Sequence, residues 1–249
     1  MCGITGFIAS QFNRDHLKKM TDSLKHRGPD AEGYFFDENT RVGLGHRRLS
    51  IIDLSNAANQ PMTSHCDRYI VVFSGEIYNY KDVSKKLDRN WKTSSDTEVV
   101  LEAFVEYGND FVNHLNGMFA IAIWDKKEKK ISLFRDRIGI KPLLYYYDEV
   151  SFAFASELKA LLTLELPKKI NLDAVKDYFF LEYIPQEQTA FKNYYKLKPG
   201  HFLTVKEGQS PKITQYYNVL DKLTGSENID EQQAKEILKE IQHLLPYTI

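Results

Sequence analysis

Cysteine is scarce in these 249 residues: Cys2 and Cys66 are the whole supply. Two thiols build no disulfide framework, and His46, His65 and Cys66 come without the CxxC or HxxxH spacing of a zinc site. Charge of one sign is equally short, since 33 Lys and Arg against 34 Asp and Glu leave a net charge of −1. No basic block interleaves with aromatics, so nucleic acid is not expected as a partner. Lys126-Lys127-Glu128-Lys129-Lys130 lies between two apolar runs and reads as a solvated hairpin turn. No apolar run approaches the ~20 residues of a membrane span, and the first residues lack the charged and apolar regions of a signal peptide. A soluble protein of a reducing, cytoplasmic setting is expected, where a thiol stays free. Internal repeats, low-complexity tracts and adjacent glycines are absent too.

What is present suits a sizeable core: 43% of residues are hydrophobic. Short strands are expected at Ile4–Ala9, Gly33–Phe36, Val42–Ile52 and Tyr69–Phe73. Arg14–His26 puts Leu17, Met20 and Leu24 on one helical face, and Gly28-Pro29 punctuates its end. Tyr80–Leu87 reads as a short helix. Ser95-Asp96-Thr97-Glu98 has the spacing of a capping box, followed by the apolar stripe Val99, Val100, Ala103, Phe104 and Tyr107. Met118–Trp124 with Ile131–Phe134, and Leu143–Tyr147 with Ser151–Ala155, read as hairpins. Helices at Glu157–Leu164 and Leu172–Leu181 precede a last strand, His201–Val205. Adjacent antiparallel strands with clustered helices predict a layered α+β sandwich rather than strict βαβ alternation.

Four stretches carry candidate chemistry. Met1-Cys2-Gly3 places a thiol directly after the initiator. Loss of the methionine leaves thiol and α-amine on one residue, and an amine of pKa about 7.7–8.0 can take the thiol proton without a histidine. The plain alternative is a small apolar residue opening an edge strand. Val72-Phe73-Ser74-Gly75-Glu76 reads as a strand running into a glycine turn, whose N–H can face an oxyanion or simply end the strand. Arg47-Arg48 interrupts an apolar strand. A guanidinium there suits a carboxylate ligand, or an internal salt bridge with Asp53 or Glu32. Asp96 at a helix start is favoured by the helix dipole in any case.

Taken in order, MCGI at the start, HRGPD at 26–30, HRRLSIID at 46–53, SGEIYN at 74–79, SDTE at 95–98 and RDRIGIKPL at 135–143 resemble the glutaminase domain of glutamine-hydrolysing asparagine synthetases. That family is a class II glutamine amidotransferase with an N-terminal cysteine nucleophile. The resemblance covers about residues 1–205. It implies a four-layer αββα sandwich of the N-terminal-nucleophile hydrolase type and hydrolysis of L-glutamine through a Cys2 thioester. Position by position it implies Arg48 for the substrate α-carboxylate and backbone of Leu49, Ser50, Ile51 and Ile52 along the same slot. Asp96 would pair with the α-ammonium, Glu76 would touch the polar end of glutamine, and Gly75 N–H would face the oxyanion. Ser74 stands where the family usually has asparagine as second oxyanion donor. The resemblance implies no cofactor on residues 1–249, ATP and Mg belonging to a synthetase half with an SGGxDS-type loop, for which there is no Gly-Gly pair. Residues 206–249 then read as a linker and the start of that half. Ala234, Ile237, Ile241, Leu244 and Leu245 form an apolar helical face, for a synthetase domain or subunit or for the body itself. A degenerate glutaminase serving as a binding module, or a glutaminase feeding another carboxylate on a sugar or secondary metabolite, are the rival readings.

Overall fold

In a computed structural model, residues 1–185 and 187–223 are described, with Gln232, Lys235 and Glu236. The apolar face at Ala234, Ile237, Ile241, Leu244 and Leu245 lies outside the described residues. Met1–Tyr216 forms one compact unit and Tyr217–Ile249 a second, which opens with the short helix Leu220–Leu223.

Two six-stranded sheets, each paired antiparallel throughout, build the first unit. One runs in the order β10 (Tyr194–Lys196), β8 (Leu144–Tyr147), β9 (Phe152–Ala155), β1 (Gly3–Ile8), β3 (Val42–Arg48), β2 (Ala31–Asp37). The other runs β12 (Lys212–Gln215), β11 (His201–Lys206), β7 (Lys130–Arg135), β6 (Gly117–Asp125), β5 (Tyr69–Ile77), β4 (Met62–Thr63). The sheet thus continues past residue 205, because β12 pairs along β11 and Tyr216 N–H closes on Gly200 O.

Strand alternation sorts side chains into three cores. Ile4, Ile8, Val42, Leu44, Ile70, Val72, Ala122 and Trp124 meet between the sheets. Val71, Phe73, Phe119 and Ile121, on the opposite face of β5 and β6, pack under α2 (Tyr80–Lys85) and α3 (Asp96–Tyr107). Phe7 and Ala153 pack with Leu17, Met20 and Leu24 from α1 (Arg14–Asp22) and its exit turn, and with Leu161 of α4 (Leu158–Leu161). The layers run αββα.

Several boundaries differ from the periodicity reading. α1 stops at Asp22, because Ser23 turns its hydroxyl back onto Met20 O and the chain continues in tight turns. β3 stops at Arg48, whose guanidinium is drawn into the next loop. Gly75 ends no strand: it sits inside β5, opposite Phe119 of β6. A Cβ there would lie 2.2 Å from Met118 O, so close approach of β6, not a turn, requires glycine. Ser95 caps α3 by accepting from Thr97 N–H at 3.1 Å, but no capping box forms. Glu98 reaches past the cap to Lys92 N–H, Thr93 N–H and Thr93 Oγ1. Helix α5 (Leu172–Leu181) has the bounds its sequence predicts.

Candidate active site

The same alternation that fills the inter-sheet core also aims polar groups out of its end. On β1 the even positions face inward, and Cys2 continues that row just before the strand. On β3 the inward row Val42, Leu44, His46 ends in Arg48; Arg47 therefore points the other way, to Asp22 and Glu32. On β5 the inward row Ile70, Val72 continues into Ser74 and Glu76. All these rows finish at one end of the sandwich, where α3 also begins. A single pocket there is lined by Met1, Cys2, Arg48, Leu49, Ile51, Ile52, Gly75, Glu76, Asp96 and Lys141, with Gln60, Thr97 and Met118 among the rest.

Cys2 is half-buried. Its Sγ lies 3.4 Å from Leu49 N, which donates to it, and 3.6 Å from Leu49 O. Burial pushes the thiol pKa up; the Leu49 N–H, the chain's amino terminus and Arg48 pull it down, and Asp96 adds to the rise. The Cys2 carbonyl accepts from Arg27 Nε at 2.9 Å and from Ser74 Oγ at 2.7 Å, so both groups fix the backbone of the thiol-bearing residue. Arg27 reaches it because HRGPD runs close along β3: a Cβ on Gly28 would lie 2.4 Å from the Arg47 carbonyl carbon. Glu157 neutralises Arg27 from behind at 2.9 Å.

Arg48 donates to Ser55 O at 2.9 Å, to Asn59 Oδ1 at 2.7 Å and to Asp53 O. These neutral acceptors hold the guanidinium against the pocket and leave its charge uncompensated by any ion pair among the described residues. Asp96 starts α3 and accepts Ile77 N–H at 3.0 Å. Burial raises its pKa to about 6, with nearby Glu76 adding to the rise. A cation between these carboxylates would remove that penalty.

β5 also supplies a free donor. Phe73 N–H donates to Gln60 Oε1 at 2.6 Å and Ile77 N–H to Asp96, both on the side away from β6. Gly75 N–H has the same parity, and its partner residue Phe119 turns both N–H and C=O to Asp136. So Gly75 N–H faces the pocket side, and among the described residues nothing accepts from it.

Of the residues singled out from sequence, Cys2, Arg48, Leu49, Ile51, Ile52, Gly75, Glu76 and Asp96 come together in the pocket. Ser50 and Ser74 are not in its lining. Ser50 N–H is held by Asp30 Oδ2 at 2.8 Å, and the Ser74 hydroxyl is committed to Cys2 O. Sequence reasoning passed over Arg27, Gln60, Thr97, Met118 and Lys141. The parity of β6 places Met118 inward, a signal within reach of periodicity; Lys141 gave none beyond its place in RDRIGIKPL. His46, 1% exposed, donates from Nε2 to Phe73 O and is pushed down to about pKa 3 by burial, so it stays neutral beneath the site. Among the described residues no group of three His, Cys, Asp or Glu side chains is arranged to hold a metal ion, and no helix is long and apolar enough to cross a membrane.

This geometry has counterparts. Residues 1–217 match the glutamine amidotransferase domain. The putative asparagine synthetase (glutamine-hydrolyzing) 2 of Methanocaldococcus jannaschii is 40% identical over 238 residues, 87% of this chain and 46% of its own length. Asparagine synthetase (glutamine-hydrolyzing) 1 of Bacillus subtilis is 34% identical over 246 residues, 95% of this chain and 38% of its own. The chain therefore spans less than half the length of these curated relatives. A solved glutamine phosphoribosylpyrophosphate amidotransferase from B. subtilis, in complex with ADP and GMP, superimposes with a TM-score of 0.64 at 19% identity, over 86% of this chain and 49% of that one. At that identity the likeness is one of fold, the two-sheet sandwich with its flanking helices. With most of its length matched to one domain family and its relatives agreeing, the chain belongs to the glutamine amidotransferase domain family.

Proposed function

We propose that this chain hydrolyses L-glutamine to glutamate and ammonia through a Cys2 thioester, as the ammonia-supplying half of an asparagine-synthetase-like amidotransferase. One observation carries the reading: a thiol opens onto a pocket that also holds a guanidinium, Arg48, and the carboxylates of Asp96 and Glu76, while a third carboxylate, Asp53, is held by the N–H groups of Ser55 and Ser94. An amino acid offers one partner for each kind of charge. Arg48 takes the α-carboxylate, Asp96 the α-ammonium, and Glu76 the polar end of the side chain. Backbone of Leu49 to Ile52 borders the slot.

Catalysis then follows from the terminal residue. Removal of Met1 transfers the free α-amine to Cys2 and vacates the room that Met1 occupies in the pocket lining. The neutral amine accepts the thiol proton as Sγ attacks the glutamine Cδ. A tetrahedral oxyanion forms against Gly75 N–H. On its collapse the C–N bond breaks, and the amine's proton leaves with ammonia. Water adds to the thioester, again losing its proton to the amine, and the proton returns to Sγ as glutamate departs. These steps use no cofactor. A reducing, cytoplasmic setting belongs to the reading, because only a free thiol attacks. In a complete enzyme the ammonia meets an activated carboxylate, β-aspartyl-AMP giving asparagine, on a synthetase domain or subunit that carries ATP and Mg and packs on the C-terminal stretch after β12.

The test is a γ-glutamyl electrophile, 6-diazo-5-oxo-L-norleucine, followed by intact-mass and peptide mapping. One adduct per chain is expected on Cys2 of protein lacking Met1, and none on Cys2→Ala. A folded, Met1-trimmed protein that takes no label and releases no glutamate would be a binding module instead.

A further inference from the structure

The pocket holds one strong charge that the proposed mechanism leaves idle. Lys141 is 4% exposed, yet among the described residues no carboxylate lies within ion-pair distance of its Nζ. Its one described contact is the Met1 thioether, 3.0 Å away. Sulfur of that kind is a weak acceptor, and an ammonium carries three donors. The position of the lysine is not accidental. Asp136 accepts N–H groups from Phe119, Ile138, Ile140 and Lys141 itself, at 2.8–3.3 Å, and so fixes the loop that delivers the side chain to the pocket. Trimming of Met1 removes the thioether and leaves the ammonium facing the space next to Cys2.

The oxyanion of amide hydrolysis needs such a donor. Gly75 N–H is one, and Ser74, the residue beside it, has its hydroxyl proton engaged with Cys2 O at 2.7 Å. We propose that Lys141 is a catalytic residue, its ammonium being the second donor to the oxyanion beside Gly75 N–H; this rests on the glutaminase reading above. The step moves no proton to or from Lys141: negative charge develops on the former carbonyl oxygen as the S–C bond forms, is held by the ammonium, and is discharged when the C–N bond breaks.

Burial lowers the Lys141 pKa, and the Arg27 guanidinium adds to that; Cys2, Asp136 and Glu76 pull it back up. Of the groups lining the pocket, Arg48, Asp53 and Asp96 complete its charged surroundings. The sign follows: as pH rises through the lowered pKa, the ammonium loses its charge and kcat falls.

Glutamate release is measured for wild type, Lys141→Met, Lys141→Arg, Ser74→Asn and the Lys141→Met/Ser74→Asn pair, with melting temperatures alongside. The expected loss in Lys141→Met is about 10²–10³-fold in kcat with KM unchanged. Ser74→Asn, which puts a carboxamide donor beside Gly75, restores at least about tenfold in the Lys141→Met background and far less in wild type. Lys141→Arg keeps the charge, retains most of the rate, and shifts the alkaline limb upward, because guanidinium does not titrate there. A wild type that neither labels nor hydrolyses overturns the proposal together with the glutaminase reading. An active wild type whose Lys141→Met keeps its kcat overturns the proposal alone, as does a loss confined to KM, which would make Lys141 a substrate-carboxylate ligand. Should Lys141→Met fail to fold, an unmoved alkaline limb in Lys141→Arg overturns it.

Discussion

Buried charges at the pocket and buried charges elsewhere are treated in opposite ways. Away from it, Arg47 meets Asp22 and Glu32, Asp125 meets Arg68 at 2.7 Å, and Glu102 meets Arg89 at 3.2 Å. Asp136 has four backbone N–H groups instead. At the pocket, Arg48 has only carbonyl oxygens, Asp96 the Ile77 N–H and the neighbouring Ser95 hydroxyl, and Lys141 a thioether. The first set is closed and serves the fold. The second is left open, and on the proposed reading its missing counter-charges are those of a zwitterionic ligand and of an oxyanion.

The largest effect should come from Asp96. Asp96→Asn removes the acceptor for the α-ammonium, and losing one partner of a buried pair costs about 2–5 kcal/mol, so KM for glutamine rises roughly 30- to 1,000-fold or beyond. The same substitution should improve the empty protein. With its folded pKa raised to about 6, above its value in the unfolded chain, Asp96 contributes stability below pH 4 that is lost as pH rises through 6. By linkage, two pKa units amount to about 3 kcal/mol at neutral pH. Urea unfolding from pH 4 to 8 should show that slope in wild type and not in Asp96→Asn. In wild type kcat/KM should fall as pH drops below 6, when Asp96 takes up its proton.

The two neighbouring arginines offer the sharper comparison, because they differ in little except the face of β3 they occupy. Arg48→Met should raise KM by about 100-fold through loss of a bidentate carboxylate contact, and it also takes the donor from Ser55 O, Asn59 Oδ1 and Asp53 O, so some stability is lost with it. Arg47→Met should act on the fold alone. It leaves Asp22 and Glu32 without their partner, but both carboxylates are about half exposed and rehydrate, so the cost is about 1–3 kcal/mol of stability with KM intact. Equal effects of the two substitutions on KM would dissolve the distinction between open and closed charges.

That distinction marks what could be read in the chain. Alternation in β1, β3, β5 and β6 is written in their apolar residues, and the layered sandwich follows from it. The same alternation separates Arg47 from Arg48, though the sequence alone leaves either free to pair internally. Gly75 was misleading: the residue type says turn, whereas the cause is the approach of β6, a contact between segments more than forty residues apart. Glu98 misled in another way: its spacing from Ser95 fits a capping box, but the carboxylate reaches further back, to the N–H groups of Lys92 and Thr93 in the loop before the cap. Lys141 was invisible because lysine is read as surface by default; only the Asp136-bound loop shows that it is held inside.

Ser74 should show the smallest effect, and it tests the comparison from the closed side. Its hydroxyl is spent on Cys2 O, and Arg27 Nε serves the same carbonyl from 2.9 Å. Ser74→Ala should therefore cost about 1 kcal/mol of stability, the worth of one hydrogen bond, while kcat for glutamine changes by less than about threefold. Ser74→Asn in otherwise native protein should raise kcat by only about twofold, since the added carboxamide donor would join an oxyanion that the proposal already gives to Gly75 and Lys141. Melting curves and glutamate release on the two variants measure both quantities. A hundredfold loss of kcat in Ser74→Ala would move the serine from the closed group to the open one. The second donor would then be the hydroxyl itself, swinging from Cys2 O to the substrate during turnover, and Lys141 would be left without that task.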